Sequence, residues 1–340
     1  MGAQELNATA NEIVADHRGI LAADESTGTI KKRFDSIAVE STEESRRFYR
    51  QLLFTAPGME EFVGGVIMYD ETIRQSTDDG TPFAELLQSK GVVPGIKVDT
   101  GAHDLSGFPG EKVTEGLDGL RGRLGEYSEL GARFAKWRAV ITIGDGIPTS
   151  ACMRANAHAL ARYAALCQEA GIVPIVEPEV LMDADNTIEV CYEATAQTLH
   201  AVYDHLACYD VDLTGALLKP NMVISGKGCP EQASAKRIAE LTIDCFLRHV
   251  PAAVPGIVFL SGGQSEVEAT ENLNAINEVG GPWPLSFSYG RALQQSALRA
   301  WGGEADNAPA AQTAFVHRAR MNALAVAGEW SEKLEEAVTA

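Results

Sequence analysis

The sequence lacks several features that would assign it to a function class at once. The first of these missing features is a surplus of positive charge. Its 28 Lys and Arg residues are outnumbered by 47 Asp and Glu residues, which gives a formal net charge of −19. A surface this acidic repels phosphate backbones, so nucleic-acid binding through a broad basic face is disfavoured. An anionic ligand would have to meet a few cations held in a local pocket.

The six cysteines and the apolar segments exclude further classes. No two cysteines stand as Cys-X-X-Cys, which rules out a zinc ribbon and a thioredoxin-type motif. Cys167 falls on an apolar helical stripe with Met153 and Leu160, so we expect a buried thiol. No apolar run approaches a membrane span, and the N-terminus has no signal-peptide pattern. These absences predict a cytoplasmic protein with reduced thiols and no membrane partner.

What the sequence does contain is a repeated unit, a short apolar strand followed by a helical segment. The predicted strands are Gly19–Ala23, Phe62–Met68, Gly95–Val98, Phe134–Ile141, Pro174–Val180, Ala216–Lys219, Gly256–Leu260 and Pro284–Ser288. Strands that alternate with helices pair in parallel through crossover connections. Eight such units predict a (β/α)8 TIM barrel. The rival is an open doubly wound sheet, but its dinucleotide-binding form would usually carry a glycine-rich turn where this chain has Ala-Ala-Asp-Glu-Ser.

The domain organisation follows from the same pattern. No break in composition marks a second domain, so residues 1–340 are predicted to form one. The barrel should occupy about residues 19–301, after an N-terminal extension, and residues 308–340 should form a terminal helix and a short tail. Helix ends are predicted at two capping boxes (Ser41 with Glu44, Ser265 with Glu268), two first-turn prolines (Pro82, Pro230) and two terminal glycines (Gly91, Gly171).

Polar residues gather at the predicted carboxyl ends of the strands, where barrel enzymes carry their catalytic groups. They are Asp24-Glu25-Ser26, Lys97, Lys136 and Arg138, Glu177 and Glu179, Lys219, Ser261-Gly262-Gly263-Gln264-Ser265, and Ser288-Tyr289-Gly290-Arg291. A single Lys–Glu pair in a barrel, taken alone, is more often a structural ion pair than part of a site. Seven strand ends that carry polar groups weaken that explanation, because each buried charge must overcome its desolvation.

The chemistry open to such a cluster is narrow. No HExxH, GxSxG, P-loop or histidine-rich pattern is present, so no metal site is expected. The Ser-Gly-Gly-Gln-Ser run before a helix predicts an anion site made of backbone N–H groups and a helix N-terminus. The remaining covalent option is a lysine amine, which attacks a ketone to form a Schiff base when neighbouring cations favour its neutral form.

These segments closely resemble the class I, Schiff-base-forming fructose-1,6-bisphosphate aldolase family. The matching motifs are ILAADESTGTIKKRF, GIKVD, FAKWR, PIVEPE, LLKPNM, FLSGGQS and FSYGRALQ, in the family's order across residues 20–295. The resemblance implies reversible cleavage of fructose 1,6-bisphosphate to dihydroxyacetone phosphate and glyceraldehyde 3-phosphate in glycolysis and gluconeogenesis. It further implies a sugar bisphosphate as the partner, no metal or other cofactor, and a cytoplasmic homotetramer.

The resemblance also implies a role for each matching position. Lys219 matches the Schiff-base nucleophile, Glu177 the general acid/base, and Asp24 the base that takes the C4-hydroxyl proton. Glu179 matches the hydrogen-bonding companion of that acid, and Lys136 and Arg138 match residues that orient substrate and tune the nucleophile. The positions implied around the C6-phosphate are Ser26, Thr29, Lys32, Arg33 and Lys97, and those around the C1-phosphate are Ser261, Gly262, Ser288, Gly290 and Arg291.

One departure and two alternatives accompany this interpretation. Animal and plant members of the family end in a tail with a terminal tyrosine implicated in enamine protonation, whereas this chain ends at Ala340. We therefore expect another group or solvent to protonate the enamine here. The alternatives are an enzyme in which Lys219 holds pyridoxal phosphate and a non-catalytic scaffold that kept the barrel.

Overall fold

Eight parallel strands close into a barrel in the computed structural model, which describes residues 2–338. The strands in chain order are β1 Gly19–Ala23, β2 Val63–Met68, β3 Val93–Lys97, β4 Gly101–Asp104, β5 Lys112–Glu115, β6 Phe134–Ile141, β7 Val173–Val180, β8 Leu217–Leu218, β9 Ile257–Phe259 and β10 Leu285–Tyr289. The closed order is β1-β10-β9-β8-β7-β6-β3-β2, and β4 and β5 form a separate antiparallel hairpin. All eight predicted strands lie in the barrel, which confirms the TIM-barrel fold.

Helices surround this barrel and connect its strands. They are α1 Ala3–Val14, α2 Thr27–Asp35, α3 Glu43–Phe54, α4 Asp70–Ile73, α5 Phe83–Ser89, α6 Leu120–Glu129, α7 Ser150–Glu169, α8 Ile188–Cys208, α9 Ala235–His249, α10 Glu266–Val279, α11 Arg291–Trp301 and α12 Ala308–Ala327. Short 3₁₀ segments span Ala15–His17, Met59–Glu61, Leu213–Gly215, Ala305–Asn307 and Glu332–Val338. Helix α12 confirms the predicted terminal helix. No helix in residues 2–338 is both long and apolar enough to cross a lipid bilayer.

The barrel is filled by apolar side chains, and α1 closes its amino-terminal end. Leu6, Ile13 and Val14 of α1 pack with inward-facing residues of the strands, including Phe134. The Phe134 ring occupies the space that a side chain on Gly95 would need, since a Cβ there would lie 2.2 Å from a ring carbon. The predicted N-terminal extension is therefore part of the core. The packing leaves the opposite, carboxyl-terminal end free for polar groups.

Several predicted helix ends are confirmed. Ser265 and Glu268 form the capping box of α10, with Glu268 N donating to Ser265 Oγ at 3.2 Å and Ser265 N donating to the Glu268 carboxylate at 3.2 Å. Gly91 and Gly171 follow helix ends with φ of +71° and +72°, a conformation that favours glycine. Cys167 on α7 is fully buried, as its apolar stripe predicted.

Other predicted helix starts are wrong. The box before α3 is made by Thr42 and Ser45, because Glu44 turns outward to pair with Arg47 at 2.8 Å. Helix α9 begins at Ala235, capped by Ser234, and Pro230 lies in an irregular segment before it. Pro82 precedes the first residue of α5 by one position. Adjacent serines, threonines and prolines offer competing starts, and packing selects between them.

Candidate active site

A cavity of about 500 Å³ opens at the carboxyl ends of the barrel strands. All the site residues inferred from the sequence line it, although their strands and helices are spread over 268 positions of the chain: Asp24, Ser26, Thr29, Lys32, Arg33, Lys97, Lys136, Arg138, Glu177, Glu179, Lys219, Ser261, Gly262, Ser288, Gly290 and Arg291. Barrel closure brings them together because every parallel strand ends at the same rim.

The cavity is rich in cations, in contrast to the chain as a whole. Its lining has seven Lys or Arg side chains and four carboxylates, in a protein of net charge −19. The acidic excess therefore lies outside the rim. Such a wall concentrates anions from solution and is suited to a ligand that carries more than one negative charge.

A chain of ion pairs runs across the floor of the cavity. Lys219 Nζ lies 3.2 Å from Glu177 Oε1, and Lys136 Nζ lies 3.4 Å from Glu177 Oε2 and 2.6 Å from Asp24 Oδ2. Lys219, Lys136 and Glu177 are each at most 4% exposed. The arrangement places an amine that follows β8 next to a carboxylate on β7, so a proton can pass between them or to an atom bound to the amine.

Charge pairing outweighs desolvation for two of these groups. Burial alone would raise the pKa of Asp24, but the nearby charges of Lys136 and Lys219 hold it well below its usual range. Burial alone would lower the pKa of Lys136, but Asp24 and Glu177 raise it well above that of a free lysine. Asp24 is therefore anionic and Lys136 cationic throughout the neutral range, and Lys136 serves as a fixed positive charge beside Lys219.

The rim near β3 and β6 carries a second set of pairs. Arg138 Nε donates to Glu179 Oε2, and the two residues project from neighbouring strands. Lys97 Nζ lies 2.7 Å from Asp99 Oδ1 and also donates to the Asp99 carbonyl at 2.8 Å. Asp99 Oδ2 accepts the backbone N–H of Arg138 at 3.3 Å. These contacts hold two cations at the cavity wall while leaving part of each exposed to solvent.

Helix α2 supplies one candidate phosphate site. Ser26 caps the helix by accepting the N–H of Thr29 at 3.4 Å, and the two hydroxyls lie 3.1 Å apart. Lys32 and Arg33 lie one turn further along and also line the cavity. A helix N-terminus with two cations further along the same helix provides the hydrogen-bond donors and the positive potential that a phosphate needs.

The loop after β9 and the turn after β10 supply the other candidate phosphate site. Arg291 Nη2 donates to the carbonyl of Gly262 at 2.9 Å, which ties the two segments together. Ser288 Oγ is buried and lacks a hydrogen-bond partner among the described residues. Gly290 leaves little room for a side chain, since a Cβ there would lie 3.2 Å from the Ala22 carbonyl. A buried hydroxyl without a partner beside a glycine turn is suited to an anion.

Sequence reasoning missed the residues that support this wall from behind. Glu25, named only as a strand-end residue, is 8% exposed and accepts hydrogen bonds from Arg50 Nη2 at 2.6 Å and Gln294 Nε2 at 3.1 Å, while pairing with Arg33. Burial would raise the pKa of Glu25, but Arg33 and Arg50 lower it. Among these supporting residues, only Asp99 could have been found from the sequence. It stands two positions after Lys97, and residues two apart on a strand share a face.

The structure also bears on metals and on the chain end. Within residues 2–338, no group of three or more His, Cys, Asp or Glu side chains is arranged to hold a metal ion. The prediction that a group other than a terminal tyrosine protonates the enamine depends on the chain end at Ala340, which lies outside the described residues.

Comparison with known proteins agrees with this arrangement. A family model described as fructose-bisphosphate aldolase class I matches residues 5–340. A probable fructose-bisphosphate aldolase class 1 of Xanthomonas campestris pv. campestris is 56% identical over 332 residues, covering 97% of this chain and 99% of that protein. The cytosolic fructose-bisphosphate aldolase 4 of Arabidopsis thaliana is 53% identical over 326 residues, covering 95% and 83%. The structure of the Plasmodium falciparum fructose-bisphosphate aldolase, in complex with TRAP and a small-molecule inhibitor, superposes with a TM-score of 0.95 at 48% identity and covers 97% of this chain and 96% of that one. The family model spans nearly the whole sequence, so the chain belongs to the class I fructose-bisphosphate aldolase family of lyases.

Proposed function

We propose that this enzyme reversibly cleaves fructose 1,6-bisphosphate to dihydroxyacetone phosphate and glyceraldehyde 3-phosphate through a Schiff base on Lys219, without a metal. The observation that carries the proposal is the Lys219–Glu177 contact of 3.2 Å at the floor of a cavity with a candidate phosphate site on each side. A bisphosphate held at both ends places its central carbons over the amine. Such positioning replaces a bimolecular encounter with an intramolecular one.

The first chemical step forms the iminium. The neutral amine of Lys219 attacks the C2 carbonyl of the open-chain ketose and gives a carbinolamine. Glu177, as a carboxylic acid, donates a proton to the departing C2 hydroxyl, and water leaves. Lys136 Nζ lies 3.4 Å from Glu177 Oε2 and keeps a fixed positive charge beside the reacting groups. The resemblance makes Glu179 the companion of Glu177, and its carboxylate accepts a hydrogen bond from Arg138 Nε on the adjacent strand, which holds that guanidinium at the cavity wall.

The second step breaks the C3–C4 bond. Asp24 accepts the proton of the C4 hydroxyl, the electrons of the C3–C4 bond move into the iminium, and glyceraldehyde 3-phosphate departs as the aldehyde. The enamine that remains takes a proton at C3. Hydrolysis of the resulting iminium releases dihydroxyacetone phosphate and regenerates the Lys219 amine. The iminium acts as the electron sink, so the carbanion needs no Lewis acid.

The cellular setting belongs to the same proposal. We place the enzyme in the cytoplasm, in glycolysis and gluconeogenesis, as a homotetramer. The relative from Arabidopsis thaliana is named as cytosolic, which supports the location. Sedimentation velocity measures the oligomeric state directly, and a monomer at micromolar concentration would contradict the tetramer.

Covalent trapping tests the central claim. Wild-type enzyme is incubated with dihydroxyacetone phosphate, reduced with borohydride, digested and mapped by mass spectrometry. We expect one reduced adduct on Lys219, none in Lys219→Met, and an unchanged adduct in Lys236→Met, whose lysine is exposed on α9. An adduct on another lysine, or none at all, would overturn the mechanism and favour the scaffold alternative.

Two further measurements separate the remaining alternatives. EDTA should leave cleavage of fructose 1,6-bisphosphate intact, and strong inhibition that added metal reverses would indicate a metal-dependent aldolase instead. The purified enzyme should show no absorbance band of a pyridoxal Schiff base, because Lys219 is kept free for the substrate. A yellow, borohydride-sensitive band would favour the pyridoxal phosphate alternative.

A further inference from the structure

A cation outside the predicted set lies on the far side of the loop Ser261-Gly262-Gly263. Arg291 reaches this loop from the barrel side, donating to the Gly262 carbonyl at 2.9 Å. Lys227 reaches it from the segment between β8 and α9. The loop is therefore flanked by two cations on separate parts of the chain, and the sequence motifs gave no sign of the second.

Backbone hydrogen bonds fix where Lys227 begins. The N–H of Lys227 donates to the carbonyl of Met182 at 2.8 Å, and Gly226 and Gly228 donate to Asn186 and Ala184, each at 2.9 Å. These three bonds join the segment after β8 to the segment after β7. Lys227 is thus anchored to the segment after β7 rather than carried on a free loop.

The ammonium group lies directly against the loop. A Cβ added to Gly263 would be 1.9 Å from Lys227 Nζ and 2.2 Å from its Cε, so the lysine occupies the space that the glycine leaves. Met182 packs on the same surface, with its sulfur 3.3 Å from a Cβ added to Gly262. Any side chain at position 263 would displace the ammonium, so the glycine provides the space that Lys227 occupies.

The present partner of Lys227 is weakly held. Its Nζ lies 3.1 Å from Asp183 Oδ1, and the two side chains are 44% and 68% exposed. Solvent and salt screen an exposed pair of this kind, which contributes little to stability. A phosphate with nearly two negative charges and three acceptor oxygens is a stronger partner for an ammonium than one exposed carboxylate.

We propose that Lys227 is a specificity-determining residue that exchanges Asp183 for the ligand phosphate bound at Ser261, Gly262 and Arg291. The proposal rests on the proposed function, which assigns this loop to the C1-phosphate. It adds that affinity for this phosphate depends on a cation beyond the cavity wall, and that Asp183 lowers the affinity by competing for that cation.

The aldol condensation direction separates the two phosphates, because each substrate brings one. Dihydroxyacetone phosphate places its phosphate at the loop of Ser261, and glyceraldehyde 3-phosphate places its phosphate at helix α2. Lys227→Gln should raise the KM for dihydroxyacetone phosphate by about 3- to 10-fold, the loss of one partly exposed charge-assisted contact. The KM for glyceraldehyde 3-phosphate should stay within about twofold, and the effect should fall on KM rather than kcat.

Matched variants make the test specific. Lys236→Gln removes the same charge from exposed α9, and both KM values should remain at the wild-type level. Asp183→Asn should lower the KM for dihydroxyacetone phosphate by about two- to fivefold, since it releases Lys227. That gain should disappear in the double variant with Lys227→Gln, where no lysine is left to release.

The outcomes distinguish this proposal from the one on which it rests. If borohydride traps no adduct on Lys219, the proposed function fails. If the adduct forms but Lys227→Gln leaves the KM for dihydroxyacetone phosphate unchanged, only the role of Lys227 is overturned. Equal changes in both KM values, or an Asp183→Asn gain that persists in the double variant, would show that the charges act only through the general field of the protein.

Discussion

Lys136 is the residue whose removal tests the electrostatics of the site most directly. Its ammonium lies 2.6 Å from Asp24 and 3.4 Å from Glu177, and the side chains of all three residues are at most 13% exposed. Lys136→Met keeps a long unbranched side chain and deletes the charge. Asp24 then stays buried without its cation, whereas Glu177 keeps Lys219 at 3.2 Å.

The expected loss of stability follows from burial. Breaking a buried ion pair from one side costs about 3–5 kcal/mol, because the remaining charge is left desolvated without a partner. Removing that charge as well should recover part of the loss. The double variant Lys136→Met/Asp24→Asn should therefore be less destabilised than the sum of the single variants, by about 1–3 kcal/mol.

Urea unfolding followed by tryptophan fluorescence measures these free energies, with the denaturant dependence compared across variants. Lys236→Met serves as the control, because its side chain is 86% exposed and should change the free energy of unfolding by less than about 0.5 kcal/mol. If Lys136→Met lowered the free energy of unfolding by less than about 1 kcal/mol, the reasoning would be refuted. It would also be refuted if the effects of the two single substitutions simply added in the double variant.

The pH dependence of the same variant provides an independent check. In the wild type the pKa of Asp24 is lowered, so its stabilising effect is present above the ordinary aspartate value and is lost as the pH falls through the lowered one. Without Lys136, burial is no longer fully offset and raises the pKa of Asp24. The difference in stability between the wild type and Lys136→Met should therefore shrink as the pH falls from 7 toward 4, and a constant difference would contradict this account.

The remaining predictions concern two other buried clusters. Glu25→Gln leaves Arg50 buried without its carboxylate and should lower the free energy of unfolding at pH 7 by about 3 kcal/mol in urea titrations. Since the pKa of Glu25 is lowered, its stabilisation is present above the ordinary glutamate value of about 4.3 and lost below it, so the variant should lose less stability than the wild type on acidification below pH 4.3. Glu335→Gln should lower the free energy of unfolding by about 1–3 kcal/mol, because the carboxylate pairs with the buried guanidinium of Arg318. The control Glu332→Gln, on the exposed side of the same segment, should change the free energy of unfolding by less than about 0.5 kcal/mol.

Local pattern predicted most of the fold and of the cavity lining. The predicted bounds of the eight barrel strands lie within a few residues of the observed ones. The pattern behind them, an apolar run bounded by glycine, proline and polar residues, is formed by neighbours along the chain. Lys97 and Lys219 were found for the same reason, since a charged residue after such a run must lie at the end of a strand. The β4–β5 hairpin was missed, because Gly101–Asp104 and Lys112–Glu115 are short and only Thr114 among their residues is buried, so neither carries an apolar run.

Contacts between distant segments could not be predicted in this way. Gln294 donates a hydrogen bond to the Glu25 carboxylate from a position 269 residues away, and Arg50 on α3 donates another to the same carboxylate. The ammonium of Lys227 lies on Gly263 because the segments after β7 and β8 are joined by backbone hydrogen bonds. None of these pairs has a characteristic spacing, since each depends on the angle at which two elements pack.

The sequence by itself determined the alternation of strands and helices and the polar residues that follow the strands, because each is written in residues that are neighbours along the chain. Only the tertiary structure decided which charges meet: Asp24 with Lys136, Glu177 with both lysines, Glu25 with two arginines. Closure of the barrel brings these strand ends to one rim and removes them from water. Burial then makes each unpaired charge costly, so the observed pairing holds the cations around Lys219 within an otherwise acidic protein.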